Sequence, residues 1–333
     1  MPQPAVRRAI HRDKIVPVRQ AETSWEKAVT AFLAECRRKN LSPATLENYE
    51  WYLRGTRMTA FIADHAITAP AQMDSGMLRR FEEELFAAKG GLSAGTVHTF
   101  HRILKNFLAF CFREGLAGRD ETPEQAFARG EAIKAVEAPK LEEHEPETFT
   151  NKEIAVLRER LKDRPRDLML VNLMLGTGLR LAEVCNLTLD DIIDGPKGPL
   201  VRVRQGKGRK DRYVPLDSPG NKLSVQLRRY TNVVRPKGAA SDALFLTYRK
   251  DGADFVALSP NAIQTLCKRL DAETGIHVNP HKFRHTFATK ALSAGLDVMM
   301  LQKALGHTSL AMVSRYVTYQ TDDMIAAWNQ RRD

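Results

Sequence analysis

The sequence is poor in cysteine and lacks any long apolar run, and each shortage excludes a class. Among 333 residues there are 4 cysteines, Cys36, Cys111, Cys185 and Cys267, and no C-x-x-C pair. A zinc site built on thiolates needs closer groupings, so each cysteine reads as a small core residue inside an apolar pattern. A bilayer span takes about 18 apolar residues or more. The nearest stretch, LMLVNLMLG from Leu168, is far shorter. The N-terminus carries no signal-peptide pattern, so a reducing cytoplasm, at the nucleoid, is the expected location. No repeat of solenoid length is present.

What the chain does hold is positive charge. The net charge is +11 and the isoelectric point is near 9.5, against an ordinary 43% hydrophobic and 27% charged composition. Such a surplus fits a polyanionic partner, nucleic acid above all, although charge alone equally suits a merely soluble basic protein.

The length fits two domains. Residues 1–21 form a basic arm with Arg7, Arg8, Arg12, Lys14 and Arg19, expected to be flexible. Residues 22–119 carry four helical patterns. The first opens on a Thr23-x-x-Glu26 capping box and the second on Ser42-Pro43. The third carries Met77, Leu78, Phe81 and Leu85; the fourth runs from Ser93 to Cys111. Arg37, Arg38, Lys39, His98, His101, Arg102 and Lys105 fall on the polar faces, either solvated or facing phosphates. Residues 120–147 hold nine acidic residues against three basic ones, plus Pro123, Pro139 and Pro146. That composition predicts an extended linker, and it leaves the flanking parts more basic than the total implies.

A second domain is expected over 148–320, followed by a tail over 321–333. Thr150-x-x-Glu153 caps its first helix, and Leu168 to Leu175 reads as a buried helix. Gly176-Thr177-Gly178-Leu179-Arg180 then turns into a helix in which Arg180 and Glu183 lie three apart. Alone, that pair is as well explained by a surface ion pair. From Leu200 the apolar period becomes two, giving a hairpin around the basic tip Gln205-Gly206-Lys207-Gly208-Arg209-Lys210. The tip reads either as a solvated turn or as a lysine delivered to a phosphate or a leaving oxygen. Helices are expected over 259–274, 282–295, 298–305 and 309–319.

The densest stretch runs from His281 to Tyr316, HKFRHTFATKALSAGLDVMMLQKALGHTSLAMVSRY. His281 and Arg284 share a helix face, His307 follows Leu305-Gly306, and Tyr316 comes nine residues later. Cationic donors gathered around a phenol suit attack on an anionic oxygen centre, and a phosphodiester is the obvious one. His281 and His285 are four apart, as a metal pair would be, but no HExxH glutamate and no third ligand accompany them.

Together these pieces resemble the tyrosine recombinase (phage integrase-like) family, over about residues 22–320. The matching pieces are TGLRLAE with Arg180 and Glu183, QGKGRKDRYVPL with Lys207, HKFRH with His281 and Arg284, LGH with His307, and Tyr316. The resemblance implies a mainly α fold with a small β-sheet in the second domain (α+β). It implies a four-helix core-binding (SAM-like) domain followed by a catalytic domain. Arg180, Arg284 and His307 would hold the scissile phosphate, and Tyr316 would attack it. A phenol has a pKa of about 10, and His281 would take its proton. Lys207 would protonate the leaving 5′ oxygen, with Lys210 an alternative, as Tyr319 is to Tyr316. Glu183 would orient Arg180 or the histidines. A 3′-phosphotyrosine link conserves bond energy, so no cofactor, metal or ATP is expected.

The implied partners are double-stranded DNA and three further copies of the chain, four protomers on two duplexes passing through a Holliday junction, with an accessory DNA-bending or directionality protein. The tail, with Met324, Ile325 and Trp328 on one face, would dock on a neighbouring protomer or on its own domain. Two other readings stand beside the recombinase. One is a type IB topoisomerase-like or telomere-resolving nicking–closing enzyme; the other is a non-catalytic DNA-binding protein of the same fold.

Overall fold

The computed structural model describes residues 25–88, 91–116, 122–141, 146–204, 211–248 and 254–306. The arm over 1–21, the hairpin tip with Lys207 and Lys210, and the stretch from His307 onward, with Tyr316, Tyr319 and Trp328, lie outside the described residues. The fold is mostly helical with small antiparallel sheets, as the sequence predicts. The chain divides into two units, Met1–Glu143 and His144–Asp333. No described helix is long and apolar enough to cross a membrane.

In the first unit, α1 (Trp25–Arg38), α2 (Pro43–Arg54), α3 (Thr56–Asp64), α4 (Ser75–Ala87) and α5 (Ala94–Arg113) surround an aromatic core. The Ser42 and Ser93 hydroxyls accept the Thr45 and Thr96 amides at 3.2 and 3.3 Å, so both expected caps form. Phe32 meets Phe107 edge to face at 5.6 Å, and Phe81 meets Phe100 at 5.5 Å. The expected four helices are α1, α2, α4 and α5; α3 is additional.

The extended linker expected over 120–147 is corrected within it: Pro123–Ala135 is a helix, α6. A capping box starts it, with the Thr122 hydroxyl accepting the Gln125 amide and the Gln125 side chain accepting the Thr122 amide. Ile133 and Val136 are buried in the first unit's core, which offsets the ordering entropy that the acidic composition left uncovered. Basic residues of α5 hold the segment that follows: Lys105 Nζ donates to the Val136 carbonyl at 2.9 Å, and His98 Nδ1 lies 3.2 Å from the Pro139 carbonyl. His101 is buried at 2% exposure against Glu82, with Nδ1 2.5 Å from Oε1. Of these three residues expected on a polar face, His101 is therefore interior, while Lys105 and His98 are half-buried against the segment that follows α6.

In the second unit, α7 (Asn151–Arg160) and the buried α8 (Pro165–Thr177) lead through a turn to the short α9 (Leu181–Cys185). A three-stranded antiparallel sheet follows in the order β1 (Ile192–Gly195), β2 (Gly198–Val203), β3 (Arg212–Pro215). Its β2–β3 register pairs Val201 with Val214 and Val203 with Arg212. Two further strand pairs are β4 (Asp217–Ser218) with β5 (Asn221–Lys222), and β6 (Leu246–Tyr248) with β7 (Phe255–Ala257). The helices α10 (Leu223–Arg229), α11 (Pro260–Thr274), α12 (Pro280–Ser293) and α13 (Val298–Leu305) complete the described unit. Leu170, Leu173, Val201, Val214, Leu270 and Phe283 join helices and sheet in one core. Arginine–carboxylate pairs fasten α11: Glu273 takes Arg160 and Arg164, and Asp167 takes Arg269.

Burial raises the thiols of Cys185 and Cys267, to about 11 and about 12, so they stay protonated at neutral pH.

Gly178 ends α8 in the left-handed region, φ +62°. A Cβ there would lie 2.4 Å from the Phe287 ring. Gly178→Ala combines the left-handed penalty, about 1–2 kcal/mol, with overpacking of about 1–3 kcal/mol. The expected result is a drop in the urea midpoint matching a loss of about 2–5 kcal/mol; an unchanged midpoint would refute this packing.

Candidate active site

The turn after α8 sets Arg180 at the start of α9. Its backbone amide donates to Glu183 Oε2 at 2.7 Å and its Nη1 to Glu183 Oε1 at 3.0 Å. The same guanidinium reaches the end of α13, with Nη1 3.2 Å from the Leu305 carbonyl and Nη2 3.3 Å from that of Gly306. Arg284 arrives from α12, whose first turn is capped by the Asn279 side chain on the Lys282 amide. It is buried, at 4% exposure, and donates Nη1 to the Gly178 carbonyl at 2.8 Å and Nη2 to the Leu305 carbonyl at 2.7 Å. Arg180 and Arg284 thus converge on one oxygen, two residues before His307.

A residue the sequence reading passed over completes the group. Arg212, at the start of β3, grips Glu183 with both ends of its fork, Nη1–Oε1 3.0 Å and Nη2–Oε2 2.7 Å, and its Nε donates to the Ala304 carbonyl at 2.8 Å. Alternation along β3 buries Arg212 and Val214 and exposes Tyr213 and Pro215. An arginine at an inward strand position needs an anion to meet, and that was the available signal.

At the other foot of the hairpin, Asp191 holds Arg202 at 3.1 Å and Arg204 at 2.5 Å. Both strands are therefore pinned by ion pairs just outside the segment that contains Lys207. The structure brings Arg180, Glu183 and Arg284 together. His281 is exposed on α12, and its ring centroid lies 6.3 Å from that of His285. Lys207, His307 and Tyr316 are outside the described residues.

Burial by itself would raise the Glu183 carboxyl, but the bonds from Arg212 and from the Arg180 amide outweigh it and hold the group below its ordinary 4.5. Asp191 follows the same logic: burial raises it, while the Thr188 amide and Arg204 hold it below 3.8. A carboxylate depressed in the folded state stabilises the fold above its unfolded pKa, and that contribution is lost as pH falls through the folded value. The second unit should therefore keep its urea midpoint from neutrality to roughly pH 5 and lose stability progressively below it. Glu183→Gln should flatten the decline, and an equally steep decline in the variant would show that Glu183 contributes nothing to it.

Residues 147–322 match the model of the phage integrase family. Tyrosine recombinase XerA of Pyrococcus furiosus is 37% identical over 187 residues, 56% of this chain and 62% of that protein, so the match spans less than two thirds of that relative. XerA of Pyrococcus horikoshii is 30% identical over 233 residues, 70% of this chain and 72% of that one. The Tn1549 transposon integrase, solved in complex with a circular intermediate DNA, shares the fold with a TM-score of 0.66 at 17% identity, covering 91% of this chain and 98% of that chain.

Proposed function

Because the chain belongs to the phage integrase family, we propose that it is a site-specific DNA recombinase that cuts and rejoins duplexes through a 3′-phosphotyrosine link. The observation that carries this reading is the convergence of Arg180 and Arg284 on the Leu305 carbonyl. Two guanidinium forks directed at one oxygen can serve the non-bridging oxygens of a phosphodiester in the same way.

The chemistry balances without an added reagent. The Tyr316 oxygen attacks phosphorus, and its proton passes to His281. The bond to the 5′ oxygen breaks, and that oxygen takes a proton from Lys207. Arg180, Arg284 and His307 hold the equatorial oxygens, where charge grows in the transition state, and Glu183 keeps Arg180 aligned. A 5′ hydroxyl from a second duplex reverses the steps and joins new strands. Two rounds pass through a Holliday junction and call for four chains on two duplexes. In this reading the N-terminal helical domain over 22–119 grips the core DNA, 148–320 carries the chemistry, and the tail over 321–333 straps onto a neighbouring protomer.

The test starts from DNA recovered by cross-linking in cells, rebuilt as a duplex nicked beside the scissile phosphate. The expected result is a protease-sensitive protein–DNA adduct, together with recombinant products from two separately labelled duplexes. Adduct with strand closure but no exchange would move the chain to the nicking–closing enzymes. Specific binding with no adduct would leave a DNA-binding protein of the same fold.

A further inference from the structure

Two guanidiniums, Arg180 and Arg212, meet one carboxylate, Glu183, and with a third, Arg284, they hold the turn at residues 304–306. They are not equally placed. The Arg180 side chain is 41% exposed, whereas that of Arg212 is 9% exposed. Arg180 can meet an incoming phosphate; Arg212 lies behind it.

We propose that Arg212 is a positioning residue for the phosphate-binding arginines, acting through Glu183 and through the turn, and never touching DNA. The inference rests on the recombinase reading and adds to it. Its first ground is electrostatic. The Arg212 fork engages both Glu183 oxygens, while Arg180 gives its side-chain bond to Oε1 alone. Among the described residues the cluster holds three positive groups and one negative, a surplus that an anionic phosphate can use. Without Arg212, Glu183 has Arg180 as its remaining side-chain partner among the described residues and draws its charge down where the phosphate needs it.

The second ground is mechanical. Arg212 Nε holds the Ala304 carbonyl, next to the Leu305 carbonyl on which Arg180 and Arg284 converge. Gly306 lies so close that a Cβ would be 3.1 Å from Arg212 Nη1 and 3.2 Å from Cζ and Nε. The turn thus rests against the guanidinium face, and Gly306, at φ +65°, is in the left-handed region as well. The third ground is register: Arg212 pairs with Val203 in the β2–β3 ladder, so its backbone is fixed and the side chain has one direction to go.

The experiment compares Arg212→Met and Arg212→Lys with the unaltered chain on two nicked duplexes. One has the ordinary scissile phosphate; the other has a methylphosphonate there, which carries no charge on its non-bridging positions. Single-turnover adduct formation and the thermal midpoint are read for each. Arg212→Met should slow adduct formation on the phosphate about 10- to 100-fold, below the loss of a direct donor, and within about 3-fold of wild type on the methylphosphonate, where the positive surplus has nothing to neutralise. Arg212→Lys, which keeps the charge without the fork, should fall between and serves if the methionine variant does not fold. Equal deficits on both duplexes, or no deficit on either, would overturn the proposal. Failure of the unaltered chain to form any adduct on the phosphate would instead sink the recombinase reading, so the two outcomes are distinct.

Discussion

Tyr316→Phe should bind the nicked duplex as tightly as the unaltered chain and trap none of it. The substitution removes one oxygen and keeps the ring, so packing around the side chain is preserved while the attacking atom is lost. The groups that hold the phosphate cannot replace a missing nucleophile, and losses at such positions are large, here at least about 10³-fold in adduct yield. Tyr319→Phe, three residues on, should retain adduct formation within about threefold, as befits a residue outside the reacting atoms. Binding is followed by filter retention and adduct by denaturing gel. An adduct that survives in Tyr316→Phe and vanishes in Tyr319→Phe would reassign the nucleophile. Persistence in both would remove the tyrosine mechanism altogether.

The second large effect separates the two arginines. Arg180→Ala removes an accessible donor, so single-turnover cleavage should fall about 10²- to 10³-fold with little change in the urea midpoint. Arg180→Lys should recover only part of this, because an ammonium cannot reproduce the two-pronged geometry. Arg284→Ala should show the same fall in rate and a stability loss besides. Its guanidinium donates to the Gly178 carbonyl inside the fold, and an orphaned buried acceptor costs about 1–3 kcal/mol. A variant at Arg284 that melted normally and cleaved normally would contradict the site as described.

Much of this was legible in the sequence because the signals are local. Ser42-Pro43, Ser93 and Thr150-x-x-Glu153 announce helix starts through hydrogen bonds spanning three residues, and all form. The change of apolar period near Leu200 marks the sheet for the same reason. What escaped reading depended on distant partners. The acidic stretch around α6 looks like a linker until Ile133 and Val136 find the core laid down by α5. His101 looks like a surface cation until Glu82, on another helix, meets it. Arg212 sits inside a motif noticed for its lysine, and its partners, Glu183 and Ala304, lie far off in the chain. Arg180 and Arg284 were named from their motifs, but their meeting point, a backbone carbonyl, has no letter in the alphabet of side chains.

That meeting point has a thermodynamic corollary. The final turn of α13 is a negative pole, and arginines from α9, β3 and α12 serve as its counter-ions. An arriving oxyanion competes for the same donors. Reciprocity then requires that whatever grip the anion gains, the pole gives up in equal measure. Occupancy by phosphate and the arginines' hold on the carbonyls of Leu305 and Gly306 become one linked equilibrium.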